Sequence, residues 1–166
     1  MSHEGRALIA QVKEFAWAGR HQAAIDLASP ALAPDVSAQL GVDERLELLD
    51  LRAESLMARG ELARAGADAA AMKRIAQRTR SSAHEALSAN REAIVQIRNG
   101  KSRAALVTAA VALKAAQRSR SALLEAQSLV VLAEAQFRSR KDLGSALSHA
   151  TRAAAQFEAR GDPVQQ

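Results

Sequence analysis

The 166 residues include no cysteine and no tyrosine, and Phe, Trp and Tyr together make up only 2% of the chain. Without cysteine there is no disulfide framework and no thiolate-held metal. So few aromatics, beside abundant alanine, leucine, arginine, glutamate and glutamine, argue against a sheet protein. Strands draw on aromatic and β-branched side chains, whereas these residues are strong helix formers. No stretch approaches the roughly eighteen apolar residues of a membrane span. The opening "MSHEGRALIAQVKEFAWAG" carries charges where a secretory signal would carry an apolar core. Proline is scarce, with three residues in all. These absences predict an all-α chain that is soluble and cytoplasmic and makes no use of a membrane.

What is present is a single-domain length with 48% hydrophobic residues, enough for a real core. The charge is uneven. Residues 1–69 hold 7 Lys/Arg against 11 Asp/Glu, and residues 70–166 hold 16 against 7. The second part is therefore strongly basic, which suits an acidic partner such as nucleic acid or another polyanion.

An internal repeat organises the chain. Gly19, Gly60, Gly100 and Lys141 recur at spacings of 41, 40 and 41 residues. Five residues past each stand Ala24, Ala65, Ala105 and Ala146, and nine past stand Ala28, Ala69, Ala109 and Ala150. Twelve past come Ala31, Met72, Ala112 and Ala153, and four before come Phe15, Leu56, Gln96 and Phe137. Steps of five, nine and twelve fall on one stripe of a helix, and small side chains there let helices approach closely. The pattern predicts helix hairpins over about 4–29, 43–78, 82–117 and 120–160. Pro30 and Pro34 are expected to interrupt helicity in a connector over about 30–42, and Asp43 to cap the helix that follows. The chain stops at "GDPVQQ", where another helix could begin, and reads as the front part of a longer protein.

These hairpins resemble tetratricopeptide repeats. Phe15 and Phe137 match that family's large residue before the turn. Ala24, Ala65, Ala105 and Ala146 match its early small residue in the second helix, and Ala31, Ala112 and Ala153 match its later one. The family's unit is about 34 residues, so the 40–41 here resembles the longer, alanine-rich kind found in bacterial multidomain regulators. The resemblance implies a right-handed superhelix, a solenoid of about four antiparallel hairpins, whose first helices line a concave groove. It implies a non-catalytic scaffold that binds a protein or peptide as a regulatory or sensory module in signalling. The groove residues by this alignment are Ile9, Lys13, Trp17, Asp50, Glu54, Asn90, Ile94, Arg98, Val131 and Arg138.

Chemistry is sparse. Gly100-Lys101-Ser102 looks like the end of a phosphate loop, but such a loop needs a glycine five residues before Gly100, where Val95 stands, and a strand before that. It reads instead as a helix corner, equivalent to Gly19 and Gly60. His3, His21, His84 and His149 show no ligand spacing, and no metal or other cofactor is expected. Ser81, Ser82, Ser119 and Ser121 sit at predicted helix starts, where hydroxyls cap backbone amides. No catalytic residue is assigned. The echo of "KRIAQRTRS" (73–81) in "KAAQRSRS" (114–121), with "RSRK" (138–141), could form a basic ladder for a polyanion. The preferred account is that such cations complement helix C-termini and keep an alanine-rich surface soluble, since the chain offers few aromatics on which bases could stack. Self-association through terminal faces of the stack is a further expectation.

Overall fold

The computed structural model describes residues 3–139 and 143–159. Among these the regular structure is helical throughout: α1 (His3–Trp17), α2 (His21–Ala31), α3 (Pro34–Ser37), α4 (Val42–Ala58), α5 (Leu62–Thr79), α6 (Ser82–Arg98), α7 (Ser102–Ser119), α8 (Ala122–Ser139) and α9 (Leu143–Glu158). The fourth corner, Lys141, and the segment 160–166 lie outside the described residues. The helices fall into two compact units, one up to Ile75 and one from Ala76 onward, with the boundary inside α5.

The turn within each described hairpin is built the same way. Gly19, Gly60 and Gly100 have φ of 71°, 78° and 72°, a left-handed conformation that strains any residue with a Cβ. Each glycine N–H reaches back to Ala16, Met57 or Ile97, and the next N–H reaches Phe15, Leu56 or Gln96 at 2.8 Å. This double closure satisfies the carbonyls that a helix end leaves bare. The turns between hairpins are different. At the end of α7, Arg120 is itself left-handed at φ 56°, and at the end of α5 Arg80 matches it at 53°. Ser81 and Ser121 then cap α6 and α8, accepting long bonds from the N–H groups of His84 (3.4 Å) and Leu124 (3.3 Å).

Within the first unit, α1 packs against α2 and α4, and α2 packs against α4; within the second, α6–α7, α7–α8, α8–α9 and α6–α8 are neighbours. The alanine columns explain how. Ala24 and Ala28 lie with Ile9, Val12 and Ala16 around Leu48 and Leu51 of α4. Ala105 and Ala109 lie with Ala93 and Ile97 around Val131, Leu132 and Ala135 of α8. In both cases a hairpin forms a seat, and the first helix of another hairpin fills it. Ala65, Ala69, Met72, Ala112 and Ala153 are buried as well. At the alanines small side chains let α-carbons approach, so their burial comes from backbone proximity, whereas Met72 is buried by its bulk.

Two expectations are corrected. Pro30 does not break its helix; it occupies the last turn of α2, where it forgoes one backbone bond but leaves only Ala31 still to be held in the helix. Pro34 opens the short helix α3, preceded by Ala33 in an extended conformation, the arrangement a proline ring imposes on its neighbour. Nor is Asp43 the cap of α4. Gly41 holds that position, and its N–H donates to the buried Glu44 Oε2 at 2.7 Å. A Cβ on Gly41 would stand only 3.1 Å from that oxygen, so the glycine serves close approach. Asp43 lies in the first turn, where its charge complements the helix dipole.

Candidate functional site

The ten residues expected to line a groove come from first helices, and packing decides which of them face outward. In the first unit α1 and α4 are joined by an ion pair from Lys13 Nζ to Glu47 Oε1 at 2.5 Å. Trp17, two turns along from Ile9, is 78% exposed at the end of α1. Ile9 itself is buried in the cluster that holds Leu48 and Leu51. Asp50 is half-buried on α4 and Glu54 is exposed there. Trp17, Lys13, Asp50 and Glu54 therefore reach solvent in this unit, and Ile9 does not.

In the second unit Asn90 on α6 is buried, and its Nδ2 donates to Ser128 Oγ on α8 at 3.0 Å. Val131 is buried in the seat formed by α6 and α7. Ile94 is half-buried against the same cluster. Arg98 and Arg138 are exposed, with Arg138 Nη2 3.6 Å from Glu134 Oε1 one turn back. Three of the ten, Ile9, Asn90 and Val131, thus hold helices together rather than face a partner. For Asn90 the reason is the Ser128 hydroxyl, 38 residues away, which accepts from its Nδ2 inside the core.

The corner at Gly100 has no strand before it. Its backbone is turned by the same closure as Gly19 and Gly60, and Lys101 and Ser102 start α7. An open cleft of about 480 Å³ does lie there, lined by Gly100, Lys101, Ser102, Arg103, Ala104, Arg138 and Ser139. It is a basic surface carrying Lys101, Arg103 and Arg138. His84 Nδ1 lies 2.8 Å from Thr79 Oγ1, and His149 Nδ1 lies 2.9 Å from Gln136 Oε1. Among the described residues no group of three His, Asp or Glu is placed to hold a metal. Parts of the basic ladder are engaged: Arg118 pairs with Glu85 at 2.8 Å. In the first unit Arg64 and Arg59 hydrogen-bond Glu61, in that order of weight, and hold its carboxyl below the usual range.

Two features escape sequence reasoning. The first is a fork of hydrogen bonds from Arg52 on α4 to the buried Asp68 on α5, Nε to Oδ2 at 2.9 Å and Nη2 to Oδ1 at 2.6 Å. Arg52 Nη1 also donates to Ser29 Oγ on α2 at 3.2 Å. Such a planar, two-point pair fixes helix register as well as satisfying the charges. No local signal marks it, since the partners are 16 residues apart. The second is an apolar cleft of about 510 Å³ on the α8–α9 hairpin, lined by Val130, Ala133, Glu134, Phe137, Leu143, Ala146, Leu147 and Ala150. Its signal is present in the repeat, where Ala146 and Ala150 stand in columns that are buried in the other hairpins.

No family model matches the sequence, and no curated protein matches it. Among solved structures, the apo form of RapI is similar, with a TM-score of 0.77 at 13% identity, covering 98% of this chain. The chain spans only 59% of RapI's length. At that identity the likeness carries the fold alone, a tetratricopeptide-like helical repeat. No described helix is long and apolar enough to cross a membrane.

Proposed function

We propose that this chain is a non-catalytic protein-interaction scaffold that takes a protein or peptide against the exposed side of its first helices, as a regulatory or sensory module in bacterial signalling. The observation that supports this reading is the outward display of Trp17 at 78% exposure on a helix held in the first unit's core by Ile9, Val12 and Ala16. A large aromatic on a rigid element is the usual anchor of a protein contact, because it offers area without much entropy to lose. Capture of binding proteins by the intact chain and by a Trp17→Ala, Arg98→Ala variant tests it. Partners held by the intact chain should be lost from the variant, and unchanged recovery counts against the groove.

A second reading rests on the basic cleft of Lys101, Arg103 and Arg138, which suits a polyanion. Binding to a short duplex should then weaken steeply as salt rises, because bound counterions are released with each phosphate contact. No binding at low salt removes this reading.

A further inference from the structure

The α8–α9 cleft is a seat without a guest among the described residues. Its walls are the columns that elsewhere cradle a helix. The α1–α2 hairpin uses Leu8, Val12, Phe15, Ala24 and Ala28 to hold Leu48 and Leu51. The α6–α7 hairpin uses Ala93, Ala105, Leu106 and Ala109 to hold Val131, Leu132 and Ala135. The same repeat positions on the last hairpin are Val130, Glu134, Phe137, Ala146, Leu147 and Ala150, and they form the cleft, with Glu134 standing where the covered seats carry Val12 and Ala93. Phe137 is 65% exposed and Leu147 71%. Four of the eight large hydrophobics exposed among the described residues (Val130, Phe137, Leu143, Leu147) gather here. An apolar patch this concentrated marks a binding surface.

We propose that a second copy of this chain fills the cleft head to tail, its α1 taking the place of the next first helix. Counted from the corner glycines, Ala7 and Ala10 occupy the positions where α4 carries Leu48 and Leu51. Both alanines are exposed and share a stripe of α1 with Trp17. Small side chains on the incoming helix suit a seat whose walls bear large ones, since the two surfaces must interdigitate at close approach. Charge selects the same pairing. Residues 1–69 carry a net negative charge and residues 70–166 a net positive one, so head-to-tail contact joins opposite signs. Tail-to-tail contact would oppose two basic regions. At the seat itself, Glu14 lies within the α1 stripe, and Arg138 stands exposed at the rim, 3.6 Å from the cleft's own Glu134 and open to a second carboxylate. The interface is heterologous, so repetition produces rings or open strings rather than closed dimers.

Sedimentation equilibrium of the full chain from about 10 µM to about 1 mM tests this. The average mass should rise with concentration. Ala10→Arg, which spoils the head, and Leu147→Arg, which spoils the tail, should each leave a monomer across that range. Both positions are exposed, so helicity by circular dichroism should not change; Phe137→Gln serves as a second tail variant should Leu147→Arg fail to fold. Mixed together, the Ala10→Arg and Leu147→Arg chains retain one good tail and one good head, and should form a one-to-one pair that grows no further. An intact chain that stays monomeric at the top concentration overturns the proposal, and would be the outcome if residues 160–166 or a different protein cover the cleft. Continued association of either variant overturns it too, and so does a mixture that fails to pair.

Discussion

The α6–α7 and α8–α9 hairpins carry matching columns, Ala105, Leu106 and Ala109 in one and Ala146, Leu147 and Ala150 in the other, yet their surroundings differ. The first set is packed beneath α8, and Ala109 is fully buried. In the second, Leu147 and Ala150 are exposed. The shared pattern therefore encodes readiness to receive a helix: Ala146 is buried by its own hairpin, while Leu147 and Ala150 stay open where no described helix arrives. An alanine column in such a chain is an interface specification before it is a core.

The comparison breaks most clearly on truncation. Leu132→Ala, in the covered seat, should cost about 3 kcal/mol in urea unfolding, from lost transfer energy and the cavity left behind. Leu147→Ala, measured at micromolar concentration, should stay within about 0.5 kcal/mol because water already reaches its side chain. Equal losses would mean the two seats are equally covered. Overfilling sharpens the contrast at a smaller scale. Ala109→Leu forces α7 and α8 apart and should cost about 2 kcal/mol, while Ala150→Leu has open space and should leave the melting temperature unchanged. The smallest effect concerns the turns that hold each seat's walls together. Gly100→Ala should lose about 1 kcal/mol, since φ of 72° admits a Cβ only with strain. Arg120→Gly, at an equally left-handed residue between hairpins, should gain about 0.5 kcal/mol. A loss there would show that the Arg120 side chain makes up for its backbone.

Much of the scaffold was legible from spacing alone. Corner glycines and small residues at fixed steps report local backbone strain and helix approach, and both are properties of short segments. Asp43 was misread because the cap of α4 is made by a glycine and by a glutamate that reaches back from three residues on, and an acidic residue in the first turn looks the same in sequence. Pro30 was misread because a proline's effect depends on whether it falls inside the last turn or before it. Groove residues were the least legible. Ile9 and Val131 stand at one repeat position with Asp50 and Asn90, yet Asp50 is half-buried while the other three are buried, a difference that no local pattern carries. Arg52, Asp68 and Ser29 come from three helices, and only packing brings them within hydrogen-bond reach.

By itself the sequence determined the helices, their hairpin turns and the stripe on which each presents its small residues. These follow from propensity, left-handed corners and a 3.6-residue period, all of which act within a few turns of chain. Tertiary structure alone decided which stripes are covered, which polar groups are paired inside, and that, among the described residues, a seat on α8 and α9 faces outward. Burial is a relation between segments distant in the chain, and no single segment contains it.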